Sequence, residues 1–335
     1  MEPYCTTDCP TSTYVTNPTY PTQTSTTITP TPIGNPSIVI DHTPVLEATI
    51  GTPIVISAST TGIAQSLTLV YGLSSGTQSN APMELGASGE YSYTIPGPSV
   101  TGNIAYYIVA VDSQGNQVKT PTYQIAVADF NPILQSSSLT VYRTKSVTTS
   151  INLLSVNNFN QQISLSSTGA PDGLTVTFAS NPVSAGNAVN INVTTTALTA
   201  NGTYPITITG TYTPPQYASV SHQVTLEVTV ADFGLLVSPA IATLNRGSTT
   251  FLTVSLTLEK GFVDPVTVNV LGLPQGATYA LTNGNLTPLS GSPGTTTITV
   301  QITAPITVDV GTYTVQIQAT GAGIVHIQVV ELTVR

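Results

Sequence analysis

Gly202-Thr-Tyr-Pro-Ile-Thr-Ile-Thr-Gly210 decides the fold, because it returns later in the chain as Gly311-Thr-Tyr-Thr-Val-Gln-Ile-Gln-Ala319. Each stretch starts on glycine and then alternates, with Tyr, Ile or Val, and Ile on one side and polar residues on the other. A period of two marks a β-strand with one face in a core. Tyr204 and Tyr313 stand 313 − 204 = 109 residues apart. Ala170-Pro-Asp-Gly-Leu174 recurs as Leu273-Pro-Gln-Gly-Ala277, with the prolines 274 − 171 = 103 apart. Val127-Ala-Asp-Phe130 recurs as Val230-Ala-Asp-Phe233, again 233 − 130 = 103 apart. A six-residue drift in one loop reconciles the two offsets. A period near 100 residues matches one β-sandwich domain and is too long for a solenoid repeat.

Each recurring motif has a mechanical reading. Pro-x-Gly makes a turn, proline presetting φ and glycine admitting φ > 0. The Tyr of Gly-Thr-Tyr is expected to act as a corner tyrosine, its hydroxyl tied to nearby backbone. Val-Ala-Asp-Phe joins one domain to the next with no flexible spacer, and stiff junctions favour a rod.

Upstream, Ile38 and Ile40, Val55 and Ile56, Leu67-Thr-Leu-Val-Tyr71, Gly89-Glu-Tyr-Ser-Tyr-Thr-Ile95, Ile104-Ala-Tyr-Tyr-Ile-Val-Ala-Val111 and Tyr123-Gln-Ile-Ala-Val127 read as further strands. Strands recurring about every 8–12 residues between turns indicate a sandwich. The predicted fold class is therefore all-β: tandem immunoglobulin-like β-sandwich domains over residues 36–128, 129–231 and 232–335. Residues 1–35, rich in Thr and Pro, read as a disordered tail, since each proline removes a ladder donor and restricts its predecessor. A donor strand inserted into a neighbouring subunit is the functional alternative for that tail.

The composition excludes several functions. Charged residues make up only 6% of the chain, against about 25% in a typical soluble domain. The net charge is −9, and the six basic residues (Lys119, Arg143, Lys145, Arg246, Lys260, Arg335) form no patch in the sequence. Neither nucleic acid nor an anionic membrane surface is an expected partner. Few carboxylates also means few groups whose protonation can unfold the chain, which suits an acidic exterior.

Cys5 and Cys9 are the only cysteines. A small local disulfide is the preferred reading; free or intermolecular thiols and a metal site are the alternatives, the last lacking nearby ligands. Met1-Glu2-Pro3-Tyr4 lacks the basic and apolar regions of a secretory signal, and no stretch is long and apolar enough to span a bilayer. The chain is accordingly expected to be an ectodomain whose signal and anchor lie outside residues 1–335.

Chemistry-bearing patterns are sparse. His42, His222 and His326 share no metal-binding spacing and read as ordinary strand or loop residues, a catalytic or metal role being the alternative. There is no Gly-x-Ser-x-Gly elbow. Asp112-Ser-Gln-Gly-Asn116 reads as a hairpin turn, with Ca²⁺ binding as the alternative. No enzyme activity, cofactor or resident metal is expected. Three N-glycosylation sequons begin at Asn192, Asn201 and Asn285, the last followed by Pro288.

Pro-x-Gly followed by Gly-Thr-Tyr-x-Ile/Val-x-Ile resembles the Ig-like modules of secreted archaeal and bacterial surface proteins. Tyr107-Ile-Val-Ala-Val-Asp-Ser-Gln-Gly-Asn116 resembles their fibronectin/Ig-type modules. With its charge-poor, Thr-rich composition, the chain is similar to cell-surface proteins of thermoacidophilic archaea, and the small stalk subunit of their S-layer is the nearest role. The resemblance covers residues 36–335 at module level. It implies a structural glycoprotein at the cell surface whose partners are other surface proteins or copies of itself. A filament subunit joined by strand exchange, and a non-catalytic binding segment of an extracellular enzyme or adhesin, are the alternative functions.

Overall fold

The computed structural model describes residues 38–282 and 294–335. The tail with Cys5 and Cys9, and the sequon at Asn285, lie outside the described residues. Among the described residues, every regular element except a 3-10 turn at Gly97–Ser99 is a β-strand.

The chain forms tandem Ig-like β-sandwiches. In the second, one sheet joins Leu174–Phe178, Ala188–Thr195, Ser146–Val156 and the strand entering at Asp129. The facing sheet joins Val183–Ser184, Gln162–Thr168, Gly202–Tyr212, the strand from Val220 and, parallel to it, Ser138–Tyr142. The third repeats this scheme. Thr278–Thr282, Thr295–Ala304, Ser248–Glu259 and the strand entering at Asp232 face Ile241–Leu244, Ile324–Val334, Gly311–Gly321 and Val266–Leu271. The first shares the parallel pairing of an early strand, Glu47–Thr49, with its last one.

Alternation explains the layers. In Ala188–Thr195, Val189, Ile191 and Val193 are buried while Asn190 and Asn192 are exposed. Successive Cβ atoms point to opposite faces, so a one-residue slip would expose all three. Each buried Val, Leu or Ile stabilises by about 1.5–3 kcal/mol relative to remaining in water. The Gly-Thr-Tyr motifs do what their pattern implies: the Tyr204 hydroxyl donates to the Ala200 carbonyl (2.9 Å) and that of Tyr313 to the Asp309 carbonyl (3.0 Å).

The sandwiches share strands rather than merely abutting. Tyr123–Leu134 pairs with Ile104–Val111 through Ile125, and with Ser146–Val156 from Asp129 onward. Val220–Ser238 runs 19 residues, pairing with Gly202–Tyr212 up to Val230 and with Ser248–Glu259 from Asp232. The boundaries read from sequence at 128/129 and 231/232 thus fall within continuous strands, at the points where each strand changes partners. Buried side chains divide into one cluster from Ile38 to Val230 and a second from Ala231 to Val334.

Candidate functional site

Two acids, Asp129 and Asp232, stand where the sandwiches meet. Among the described residues, all three contacts between a basic side chain and a carboxylate, one from Arg143 and two from histidines, involve Asp129 or Asp232, the acids of the two Val-Ala-Asp-Phe motifs. Phe130 and Phe233 anchor these motifs in the core, each under 2% exposed. Each preceding acid turns back on its own strand, accepting a hydrogen bond from the following amide (2.7 Å to Asp129, 2.8 Å to Asp232).

A histidine completes each motif. Nε2 of His222 donates to Asp129 and Nε2 of His326 to Asp232, both at 2.9 Å. Each imidazole also stands edge-on to the anchoring phenylalanine, with ring centroids 4.8 Å and 4.7 Å apart. Asp, Phe and His therefore form one duplicated unit. The sequence reading treated these histidines as ordinary and missed the pairing. The signal was the near-equal spacing from acid to histidine, 222 − 129 = 93 and 326 − 232 = 94.

The two junctions differ in what the preceding sandwich contributes. At the second, Arg143 Nε reaches the Asp232 carboxylate at 2.8 Å, and Asp232 is only 2% exposed at its side chain. Lys145 Nζ donates to the Gly323 carbonyl (3.2 Å), Tyr142 packs its ring 4.8 Å from Phe262, and the Asn201 amide donates to Glu259. Burial, together with a hydroxyl contact to Asp264, pushes the Tyr142 phenol above its usual range. At the first junction the place of Arg143 is taken by buried Ile50, beside a shallow groove that includes Gly51, Pro98, Ala218 and Val220. Asn103 Oδ1 accepts from the Val127 amide (2.9 Å) and the Asn157 side chain (3.1 Å), linking the first sandwich to the second.

The third histidine serves the interior of the first sandwich. The Ser57 carbonyl can only accept, so Nδ1 of His42 carries the proton (2.6 Å) and Nε2 accepts from the Tyr106 hydroxyl (2.9 Å). The Val45 amide donates to that same hydroxyl oxygen (2.9 Å). Burial pushes the His42 imidazole below its usual range, opposed by the Ser57 bond and the nearby Asp41 charge.

The remaining sequence-derived candidates are placed as follows. Asp112 uses both carboxylate oxygens inside its own turn: Oδ1 accepts from the Gln114 and Asn116 amides and Oδ2 from the Asn116 side chain, all at 2.8 Å. The Asn116 side chain first, and the turn amides after it, hold this carboxyl below its usual range. Asn192 is exposed on an outer sheet face. Asn201 is half-buried; the nitrogen to which a glycan would attach is engaged with Glu259, and its Oδ1 is buried without a partner. Among the described residues no three His, Cys, Asp or Glu side chains gather as a metal site, and no helix is long and apolar enough to cross a membrane.

No protein-family model matches the chain, and no curated protein does. Among solved structures, the titin I-band fragment I67–I69 is 14% identical, with 89% of this chain and 98% of that one covered and a TM-score of 0.33. The I9–I11 tandem from titin is 10% identical, covering 88% and 100%, with a TM-score of 0.32. The ICAM-5 D1–D4 ectodomain fragment is 11% identical, covering 89% and 77%, at 0.30.

Proposed function

We propose that this chain is a structural protein of the cell exterior, a stiff spacer that holds an outer layer or binding tip at a set distance from the cell. The supporting observation is the second junction: a 19-residue strand passes unbroken between sandwiches while Arg143 of one grips buried Asp232 of the next. A hinge needs backbone that can change conformation at low cost. Here the crossing residues are hydrogen-bonded into ladders on both sides, so bending requires breaking several bonds together.

An extracellular setting agrees with the charge-poor composition and with the exposed sequon at Asn192. The proposal assigns no catalytic role. Each histidine is committed to a structural hydrogen bond, and the Asp112 turn satisfies its own carboxylate. The S-layer stalk of thermoacidophilic archaea is the specific form of this proposal that the sequence resemblance favours.

Small-angle scattering on the purified chain tests the proposal. A rod gives a radius of gyration well above the about 20 Å of a compact 335-residue globule. A compact value, or turnover of any substrate by pure protein, would overturn it.

A further inference from the structure

The three sandwiches present one equivalent residue at the same end, which at the first two is the end where the next begins. Its backbone amide donates to the carbonyl of Ala128 from Ile50 (2.9 Å) and of Ala231 from Arg143 (3.0 Å), each where the strand changes partners, and to that of Arg335 from Arg246 (3.0 Å), just past the strand Ile324–Val334. The residue after it is left-handed every time, Gly51 at φ 73°, Thr144 at 66° and Gly247 at 75°. At both inner junctions this residue is what the sandwich offers its successor. Ile50 is buried at the first; Arg143 pairs with Asp232 at the second. Arg246 holds the same place in the third, exposed and with no ion pair among the described residues.

A second residue follows the same rule. Asn201 directly precedes Gly202-Thr-Tyr and contacts Glu259, which pairs with Asp232 across two strands. Its counterpart before Gly311-Thr-Tyr is Val310, 60% exposed. Ile306, 74% exposed, lies beside Gly247, where an added Cβ would come within 3.0 Å of its side chain. The residue after Arg246 thus borders one uncovered apolar side chain, Ile306, and Val310 is a second exposed one at the position matching Asn201.

We propose that this end of the third sandwich is built to receive, in line, a further β-sandwich that enters with an acid followed by an aromatic residue. In such a sandwich the acid takes the place relative to Arg246 that Asp232 takes relative to Arg143. An apolar side chain on the incoming sandwich's second strand meets Val310. The second sandwich already has this pattern, since Asp129 pairs with Val156 where Asp232 pairs with Glu259. The inference rests on the junction geometry and holds whatever the whole chain spaces or binds.

The test extends the full chain after Arg335 with a second copy of residues 129–231 and, separately, of residues 232–335. In the first extension the Arg246 Nε–H resonance becomes protected, and amides of the appended entry strand exchange slowly. Arg246→Ala, or Asp129→Asn in the appended copy, speeds that exchange by about tenfold or more, as expected when one side of a desolvated charge pair is removed. The 232–335 extension docks less firmly, because its Glu259 copy faces Val310 without an amide partner. An appended sandwich that tumbles independently, or docking insensitive to Arg246→Ala, would sink the proposal. So would a concentration-dependent dimer of the unextended chain that Arg246→Ala abolishes, which would give this end to a second copy.

Discussion

Arg143 and Asp232 belong to different sandwiches yet share one buried contact, Nε to Oδ2 at 2.8 Å. The same carboxylate takes His326 and the Phe233 amide on its other oxygen. One side chain therefore ties the exit of the second sandwich to the anchoring phenylalanine of the third. Arg143→Ala leaves that carboxylate buried with its nearest cation gone. A fully buried pair costs about 3–5 kcal/mol to break in this way, and the partial exposure of Arg143 reduces this to about 2 kcal/mol. Thermal unfolding should show the third sandwich melting earlier and separately, with the first unchanged.

Gly51 is the corresponding weak point of the first junction. Its φ is +73°, and a Cβ there would lie 2.5 Å from a Val220 methyl carbon of the second sandwich. Gly51→Ala should destabilise by about 2 kcal/mol or more, the left-handed backbone alone accounting for about 1–2. Adding Val220→Ala should recover only the steric part. Urea unfolding of the two variants checks both statements.

Tyr204 and Tyr313 make matching bonds to the carbonyl four residues upstream. Tyr204→Phe and Tyr313→Phe should each cost about 1 kcal/mol, the net worth of one hydrogen bond. Because the sandwiches are duplicates, the two losses should be similar in chemical denaturation. A large loss at one and none at the other would contradict a shared role.

His42 and Asp112 both bear on the acid response of the first sandwich. Buried His42 has a lowered pKa, so the unfolded chain binds its proton first. Its contribution is present above the unfolded value of about 6.5 and is lost as pH falls from there toward the folded value. Asp112 is also lowered, so its contribution stands above the unfolded value of about 3.9 and is lost on falling through the folded one. His42→Leu should flatten the upper part of the stability–pH curve and Asp112→Asn the lower, as followed by urea midpoints from pH 7 downward.

Asn192 and Asn201 should differ as modification sites. A glycan at exposed Asn192 projects from the sheet face, whereas one at Asn201 displaces its contact with Glu259. Asn201→Asp should destabilise the second junction by about 1 kcal/mol by setting two carboxylates together. Asn192→Asp should be nearly neutral. Hydrogen exchange at Glu259 and its neighbours distinguishes them.

Much of the fold was legible because strand polarity and turn chemistry are local. Val189, Ile191 and Val193 announce a buried face through their spacing alone, and Pro-x-Gly announces a turn through its backbone preferences. The duplication was readable as a repeat distance. The charged junction was not, because Asp232 meets Arg143 and His326 from 89 residues upstream (232 − 143) and 94 downstream (326 − 232). Nor did Asn201, read as a sequon in a turn, show that its amide faces Glu259.

Read alone, the chain determined an all-β tandem of duplicated sandwiches, since each residue's face in a strand follows from its neighbours one and two places away. Only the tertiary structure decided that the sandwiches share strands, that Asp129 and Asp232 take their partners at the junctions, and that Arg246 repeats the place of Arg143. Those facts depend on which distant side chains come within 3 Å of one another, and no local pattern encodes a distance across the fold.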